Sequence, residues 1–292
     1  MEYKNGTNKN SKTCIRGKEM SILLITDTQL GMALKNVKYG KWTEKALSWS
    51  SGLEPSEKEL QNLNKFLQLT KTHNPEFIIH TGDIINEIDK VTDISNYKSF
   101  VNEIGYNINH VPGNHDVGKN SDKLSIEGLN FYNKHFGNDF YNFQWNDFEL
   151  FFLNSSKFIN YENKDLYKQQ IDFIKETLQV FSSSKKIIVF MHHPPFIKEN
   201  DILSSHKELI YSKDLSYWIF EDKINNEFFE LFKDHKLEYI FTGHLHLNLE
   251  TSFEKTKIIT TSALGLPLAE DPSGYRVLDY KDGKLTYDFY PL

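Results

Sequence analysis

The chain has 292 residues, 25% charged and 39% hydrophobic, a globular composition that excludes disordered and fibrous classes. Formal charge is −6, from 34 basic and 40 acidic residues, which argues against binding to a nucleic-acid backbone or an anionic membrane surface. A single cysteine, Cys14, rules out an intramolecular disulfide and fits a reducing, cytoplasmic setting.

Residues 1–20 are rich in Asn and Lys and lack an apolar core, so they read as a flexible tail and not as a secretory leader. A trimmed chain would look the same, which leaves export open. No apolar run approaches the ~18 residues that a membrane span requires. Residues 21–292 show no repeat, linker or composition shift, and are expected to form one domain.

Short apolar runs then alternate with amphipathic stretches. The runs are Ser21-Ile-Leu-Leu-Ile-Thr26, Glu76-Phe-Ile-Ile-His80, a weaker Ile108-Asn-His-Val111, Phe148-Glu-Leu-Phe-Phe-Leu153, Lys186-Ile-Ile-Val-Phe-Met191 and Leu237-Glu-Tyr-Ile-Phe-Thr242. Their β-branched and aromatic content predicts buried strands. Ser56-x-x-Glu59 reads as a capping box ahead of Leu60, Leu63, Phe66 and Leu67 on one helical face. Helical stripes recur at 165–181 and 224–235. Beyond residue 250 come short strands near 257–260, 275–278 and 285–289, the last two joined by Lys281-Asp-Gly283. The aromatic segment 199–223 is either a wall over a cleft or a loop packed down by its own rings.

The residues just after each strand carry the chemistry. The first strand leads into Asp27-Thr-Gln29, the second into Gly82-Asp83 and the third into Gly113-Asn-His-Asp116. Two later strands lead into His192-His-Pro-Pro195 and Gly243-His-Leu-His246. Each loop alone is a weak signal. In order, at the carboxyl ends of sheet strands, they converge on one place.

The residue types suit a two-metal hydrolytic centre. Asp83 can bridge two cations, one with Asp27, His246 and Gln29, the other with Asn114, His192 and His244. Adjacent side chains diverge, so one of His192 and His193 ligates. Two divalent cations bring more charge than two carboxylates and a hydroxide remove, and the surplus attracts a phosphoryl oxygen. His115 is the candidate acid for the leaving group, and Asp116 the candidate to orient it.

This order of motifs resembles the calcineurin-like metallophosphoesterases, a resemblance that covers nearly all of the chain from Ser21. It implies a four-layer α/β/β/α sandwich of mixed sheets with a dinuclear centre at one edge. It also implies Asp27, Asp83 and His246 at one metal, Asp83, Asn114, His192 and His244 at the other, and His115 as the catalytic histidine. A closer similarity, to the Ser/Thr protein phosphatase branch of that family, rests on four features. These are Asp27-Thr-Gln-Leu-Gly31, Gly113-Asn-His-Asp-Val-Gly118, Leu153-Asn-Ser155 and the stretch from Ser262-Ala-Leu-Gly265 to Asp271-Pro-Ser-Gly-Tyr-Arg276. On that basis Arg276 is a candidate for phosphate or loop contact, with a structural ion pair as the alternative; His193, beside His192, is a candidate for substrate contact.

The wider family carries histidine where Gln29 stands. An amide oxygen is the poorer ligand for transition metals, which favours Mn²⁺ or Mg²⁺ over Zn²⁺ at that site; the two divalent cations of the centre are drawn from Mn, Fe, Zn and Mg. The expected activity is hydrolysis of a phosphomonoester, with phosphoserine or phosphothreonine in proteins implied by the branch. The alternatives are a phosphodiesterase on nucleotides or glycerophosphodiesters, and a non-catalytic metal- or phosphate-binding protein.

Overall fold

The computed structural model describes residues 20–33, 55–118, 123–268 and 270–292, so Cys14 and the tail lie outside the described residues. Alternation along β1 (Met20–Ile25) sets the layering. Ile22 and Leu24 face one way, Leu23 and Ile25 the other, and all four are fully buried. A strand with two apolar faces needs a layer on each side.

In the first sheet β1 pairs in parallel with β2 (Phe77–His80), which pairs in parallel with β3 (Ile108–His110). On its other edge β1 pairs antiparallel with β10 (Gly274–Lys281), which pairs with β11 (Lys284–Pro291). Asp282 and Gly283, with φ of 50° and 80°, close that last hairpin. Two consecutive positive φ values match the type I′ turn that Asp-Gly favours.

The second sheet runs β4 (Tyr141–Trp145), β5 (Phe148–Phe152), β6 (Lys186–Phe190), β7 (Lys236–Thr242), β9 (Thr256–Thr260) and β8 (Leu249–Phe253). Pairing is parallel from β5 through β9 and antiparallel at both edges.

The cores give four layers. Ile22, Leu24, Ile79 and Leu278 meet Phe152, Ile188, Phe190 and Phe241 between the sheets. Leu23, Ile25 and Ile78 pack outward on α1 (Pro55–His73), α2 (Val91–Ile104) and α3 (Ile126–His135). Phe151, Val189 and Ile240 pack outward on α4 (Lys164–Gln179) and α5 (Asp222–Phe232). The α/β/β/α expectation is met.

Several elements had no strong sequence signal: α2, α3 and the edge strands β4 and β8. The capping-box expectation fails. α1 already includes Pro55 and Ser56, and Glu59 turns its carboxylate to the Gly31 and Ala33 N–H groups at 2.7 and 2.9 Å. Asn154 is fully buried, so its Asn-Ser-Ser sequence is no glycosylation acceptor.

Candidate metal centre

The loops after β1 and β2 run side by side. Asp27 N–H donates to Gly82 O at 2.9 Å and Gln29 N–H to Asp83 O at 2.8 Å. The second sheet joins them where His244 N–H donates to Asp27 Oδ2 at 3.1 Å, and Gly243 N–H donates to His192 O at 3.0 Å. His115 N–H donates to Asp83 Oδ1 at 3.0 Å. Strands from both sheets therefore deliver their terminal loops to one spot.

Backbone strain concentrates there. Asp27, Gln29, Asp83, His244 and His246 all have φ between 36° and 69°, the left-handed region. Each such residue costs of order 1–3 kcal/mol and persists only where the surroundings enforce it. Gly113 permits a close approach to the shared carboxylate: a Cβ there would lie 2.0 Å from Asp83 Oδ1.

The donor atoms of Asp83, His192 and His244 lie within 4.8 Å of one another, as do those of Asp27, Asp83 and His246. Asp83 belongs to both groups. His246 Nε2 stands 3.2 Å from Asp27 Oδ1, and His192 Nε2 3.2 Å from Asp83 Oδ2.

Main-chain carbonyls fix the rings. His192 Nδ1–H donates to Thr81 O at 2.8 Å and His246 Nδ1–H to Leu266 O at 2.6 Å, which turns both Nε2 atoms inward. His244 is reversed, with Nε2–H donating to Tyr217 O at 3.1 Å and Nδ1 facing the group. A carbonyl can only accept, so each contact also sets which nitrogen is left to ligate.

The charges reinforce one another. Burial alone would raise Asp83, but the charges of His192 and His115 outweigh it and hold the carboxyl far below its usual range. Asp27 is likewise lowered, with His246 and His192 overcoming its burial. Burial would lower His192, yet Asp83 and Asp27 lift it to about 9. Burial and the neighbouring His192 push His244 down to about 3, leaving it neutral.

The donors fit two divalent cations. Asp27 Oδ1, Gln29 Oε1 and His192 Nε2 are buried without a hydrogen-bond partner among the described residues. Gln29 Nε2 donates to Asn86 Oδ1 at 3.2 Å, so its oxygen is the end left to face a cation. Mixed carboxylate, amide and imidazole donors suit Mn²⁺, Fe²⁺ or Zn²⁺.

Other sequence candidates fall elsewhere. Asp116 does not orient His115: its carboxylate accepts from Ile84, Ile85 and Gly113 N–H at 2.9, 3.3 and 2.8 Å. That role belongs to the main chain of Asn86, whose oxygen accepts from His115 Nδ1–H at 2.9 Å. Arg276 is not brought to the cluster. Its guanidinium donates to Thr261 Oγ1, Tyr287 O, Asn248 Oδ1 and Thr260 O, and pins β10 and β11 to the end of β9. His193 diverges from His192, as expected for neighbours. It packs 4.3 Å from the His244 ring and pairs with Ser155 Oγ at 2.8 Å.

The aromatic segment divides between its two readings. Trp218 and Phe220 are buried, whereas Tyr217 is 40% exposed with its ring 5.6 Å from that of His244. Sequence reasoning missed Asn86, Thr81 and Leu266, and, of Tyr217, the role of its main-chain oxygen. Thr81, Leu266 and Tyr217 act through main-chain oxygens, which no side-chain motif reports.

The comparisons with known proteins agree with this geometry. Residues 20–248 match the family model described as calcineurin-like phosphoesterase. The chain belongs to the calcineurin-like phosphoesterase family. It is 24% identical over 283 residues to human serine/threonine-protein phosphatase CPPED1, covering 92% of this chain and 83% of that protein. The Danio rerio CPPED1 is 22% identical over 275 residues, covering 91% and 82%.

In fold the chain is similar to a dimetal phosphatase from Danio rerio, with TM-score 0.61, 11% identity and coverage of 92% and 95%. It is also similar to purple acid phosphatase PPD1 from yellow lupin, with TM-score 0.64, 14% identity and coverage of 94% of this chain and 52% of that one. As a calcineurin-like phosphoesterase the chain is a dinuclear-metal phosphoester hydrolase, and its substrates are phosphorylated. Among the described residues no helix is long and apolar enough to cross a membrane.

Proposed function

We propose that the chain is a cytoplasmic phosphomonoesterase acting on phosphoserine or phosphothreonine in proteins. In this reading Asp27, Gln29, Asp83 and His246 hold one cation, and Asp83, Asn114, His192 and His244 hold the other. Residues 21–292 work as one unit, since both sheets supply ligands. When bound, the cations supply Lewis acidity and a water acidic enough to attack phosphorus at neutral pH.

The chain's own groups do the rest. Asp83 carries the reading, because among the described residues it alone is common to both donor groups and its Oδ1 accepts the His115 main-chain N–H. That contact fixes His115 beside the shared carboxylate. With Nδ1–H engaged by Asn86 O, His115 presents Nε2 to a leaving oxygen and can deliver a proton there. In this reading His193, whose ring packs 4.3 Å from that of His244, is a further substrate contact. The phosphoprotein substrate is supported by the similarity to CPPED1.

The test is a panel run on metal-stripped protein reloaded with Mn²⁺, Fe²⁺, Zn²⁺ or Mg²⁺. It compares p-nitrophenyl phosphate, its bis-ester and phosphoserine or phosphothreonine peptides. Monoester turnover should exceed diester turnover at least tenfold, with Mn²⁺ the best activator. Faster diester turnover refutes the monoesterase reading, and inert phosphopeptides refute the protein substrate.

A further inference from the structure

Asn86 sits between two groups that the proposed function uses. It lies three residues past Asp83 in the loop after β2 and is buried, 5% exposed. Three of its four polar groups are committed. Its N–H donates to Leu30 O at 2.9 Å, its main-chain oxygen accepts from His115 Nδ1–H at 2.9 Å, and its Oδ1 accepts from Gln29 Nε2 at 3.2 Å. The fourth, Nδ2, is shielded from solvent and has no hydrogen-bond partner among the described residues.

The orientation of this amide is dictated by its neighbour. In the proposed centre Gln29 gives its oxygen, buried without a partner among the described residues, to a cation, so its nitrogen needs an acceptor. Asn86 Oδ1 is that acceptor, which leaves Asn86 with two N–H bonds and nothing to receive them. A buried unpaired N–H₂ is costly, and such groups in native proteins call for an explanation. A cation cannot satisfy a donor. An anionic oxygen can, and a phosphomonoester brings three terminal oxygens into this centre.

We propose that Asn86 is a substrate-binding residue whose Nδ2 donates to a terminal phosphoryl oxygen, beside the His115 imidazole that its main chain orients. The inference rests on the phosphomonoesterase reading above and adds to it a contact made by the protein itself. Asn86 then spans the centre: one amide end steadies the metal-side Gln29 and the other meets the substrate. His115 and the phosphoryl group are positioned by the same residue, so their relative placement is set by one short loop.

The test measures binding of inorganic phosphate by calorimetry, with metal content read by mass spectrometry, on the full chain loaded with Mn²⁺. Asn86→Leu removes both the donor and the Gln29 acceptor. Asn86→Asp keeps the acceptor and removes the donor. Both variants should retain two Mn²⁺ and bind phosphate at least about tenfold more weakly, the loss of one hydrogen bond to a charged group.

Unchanged phosphate affinity in metal-loaded Asn86→Asp overturns the proposal, as does weakening confined to Asn86→Leu, which would trace the effect to Gln29. Loss of metal from Asn86→Asp overturns it in favour of a purely structural role. A wild-type chain that takes up no Mn²⁺ overturns the metal reading beneath it, an outcome distinct from all of these. If Asn86→Leu does not fold, the Asn86→Asp comparison decides alone.

Discussion

Gly113→Ala tests the geometry where the main chain presses on the Asp83 carboxylate. Gly113 has φ −91°, a conformation that alanine adopts freely, so the substitution costs nothing in backbone strain. Its cost is contact. The added Cβ would stand 2.0 Å from Asp83 Oδ1, 2.3 Å from Asp83 N and 2.7 Å from Asp83 Cγ. Carbon and oxygen prefer a separation above about 3 Å, so Asp83 must retreat by roughly 1 Å, main chain included.

Overpacking of this kind costs about 1–3 kcal/mol of stability, a tolerable loss. A misplacement of ~1 Å at a reacting centre lowers rate by about 10²-fold. Because Asp83 belongs to both donor groups, both cations should weaken together. The assay is kcat on p-nitrophenyl phosphate alongside metal content and thermal melting. Expected are a fall of about 100-fold or more in kcat, fewer than two metals per chain and a still-cooperative melt. Full metal content with unimpaired turnover would refute the role given to Asp83.

Three other contacts have measurable consequences. His115→Gln should lower kcat about 10²–10⁴-fold while keeping both metals, since His115 is placed as a proton donor and not as a ligand; metal loss measured by mass spectrometry would contradict that. Metal uptake at pH 7 should release protons, because His192, lifted to about 9 by Asp83 and Asp27 despite its burial, is charged in the metal-free chain and must lose a proton to ligate. Affinity should therefore fall as pH drops, and calorimetry showing no dependence on buffer ionisation enthalpy would refute the arrangement. Arg276→Met should cost roughly 2–4 kcal/mol in denaturant unfolding, since it removes four hydrogen bonds that tie β10 to β11 and the end of β9, and leave KM unchanged; a raised KM at full stability would restore Arg276 as a substrate contact.

The residues proposed as ligands were legible because strand ends advertise them. Asp27, Asp83, Asn114, His192 and the His244/His246 pair each come directly after an apolar run, and sheet topology does the convergence. The same runs revealed both sheets except β4 and β8, which lie at sheet edges. Edge strands lack the two-sided burial that makes β5 through β7 read as strands.

Roles set by the main chain were not legible. Asp116 is next to His115 and invited an orienting role, yet the turn at Gly113–Asn114 points its carboxylate at three N–H groups. Arg276 lay in a distinctive segment, but its partners are carbonyls and amides contributed by β9, β11 and Asn248, far apart in sequence. Asn86 shows the same limit: its importance comes from which of its atoms are already taken, and that is visible only after folding.

The most direct test of the central claim is a Mn²⁺ titration of metal-stripped wild-type chain, following bound metal and phosphatase activity in parallel. Two sites sharing Asp83 predict two bound equivalents, with activity reaching its plateau only as the second is filled, and loss of both equivalents in Asp83→Ala. Full activity at one equivalent, or two equivalents retained by Asp83→Ala, would contradict the shared-carboxylate centre.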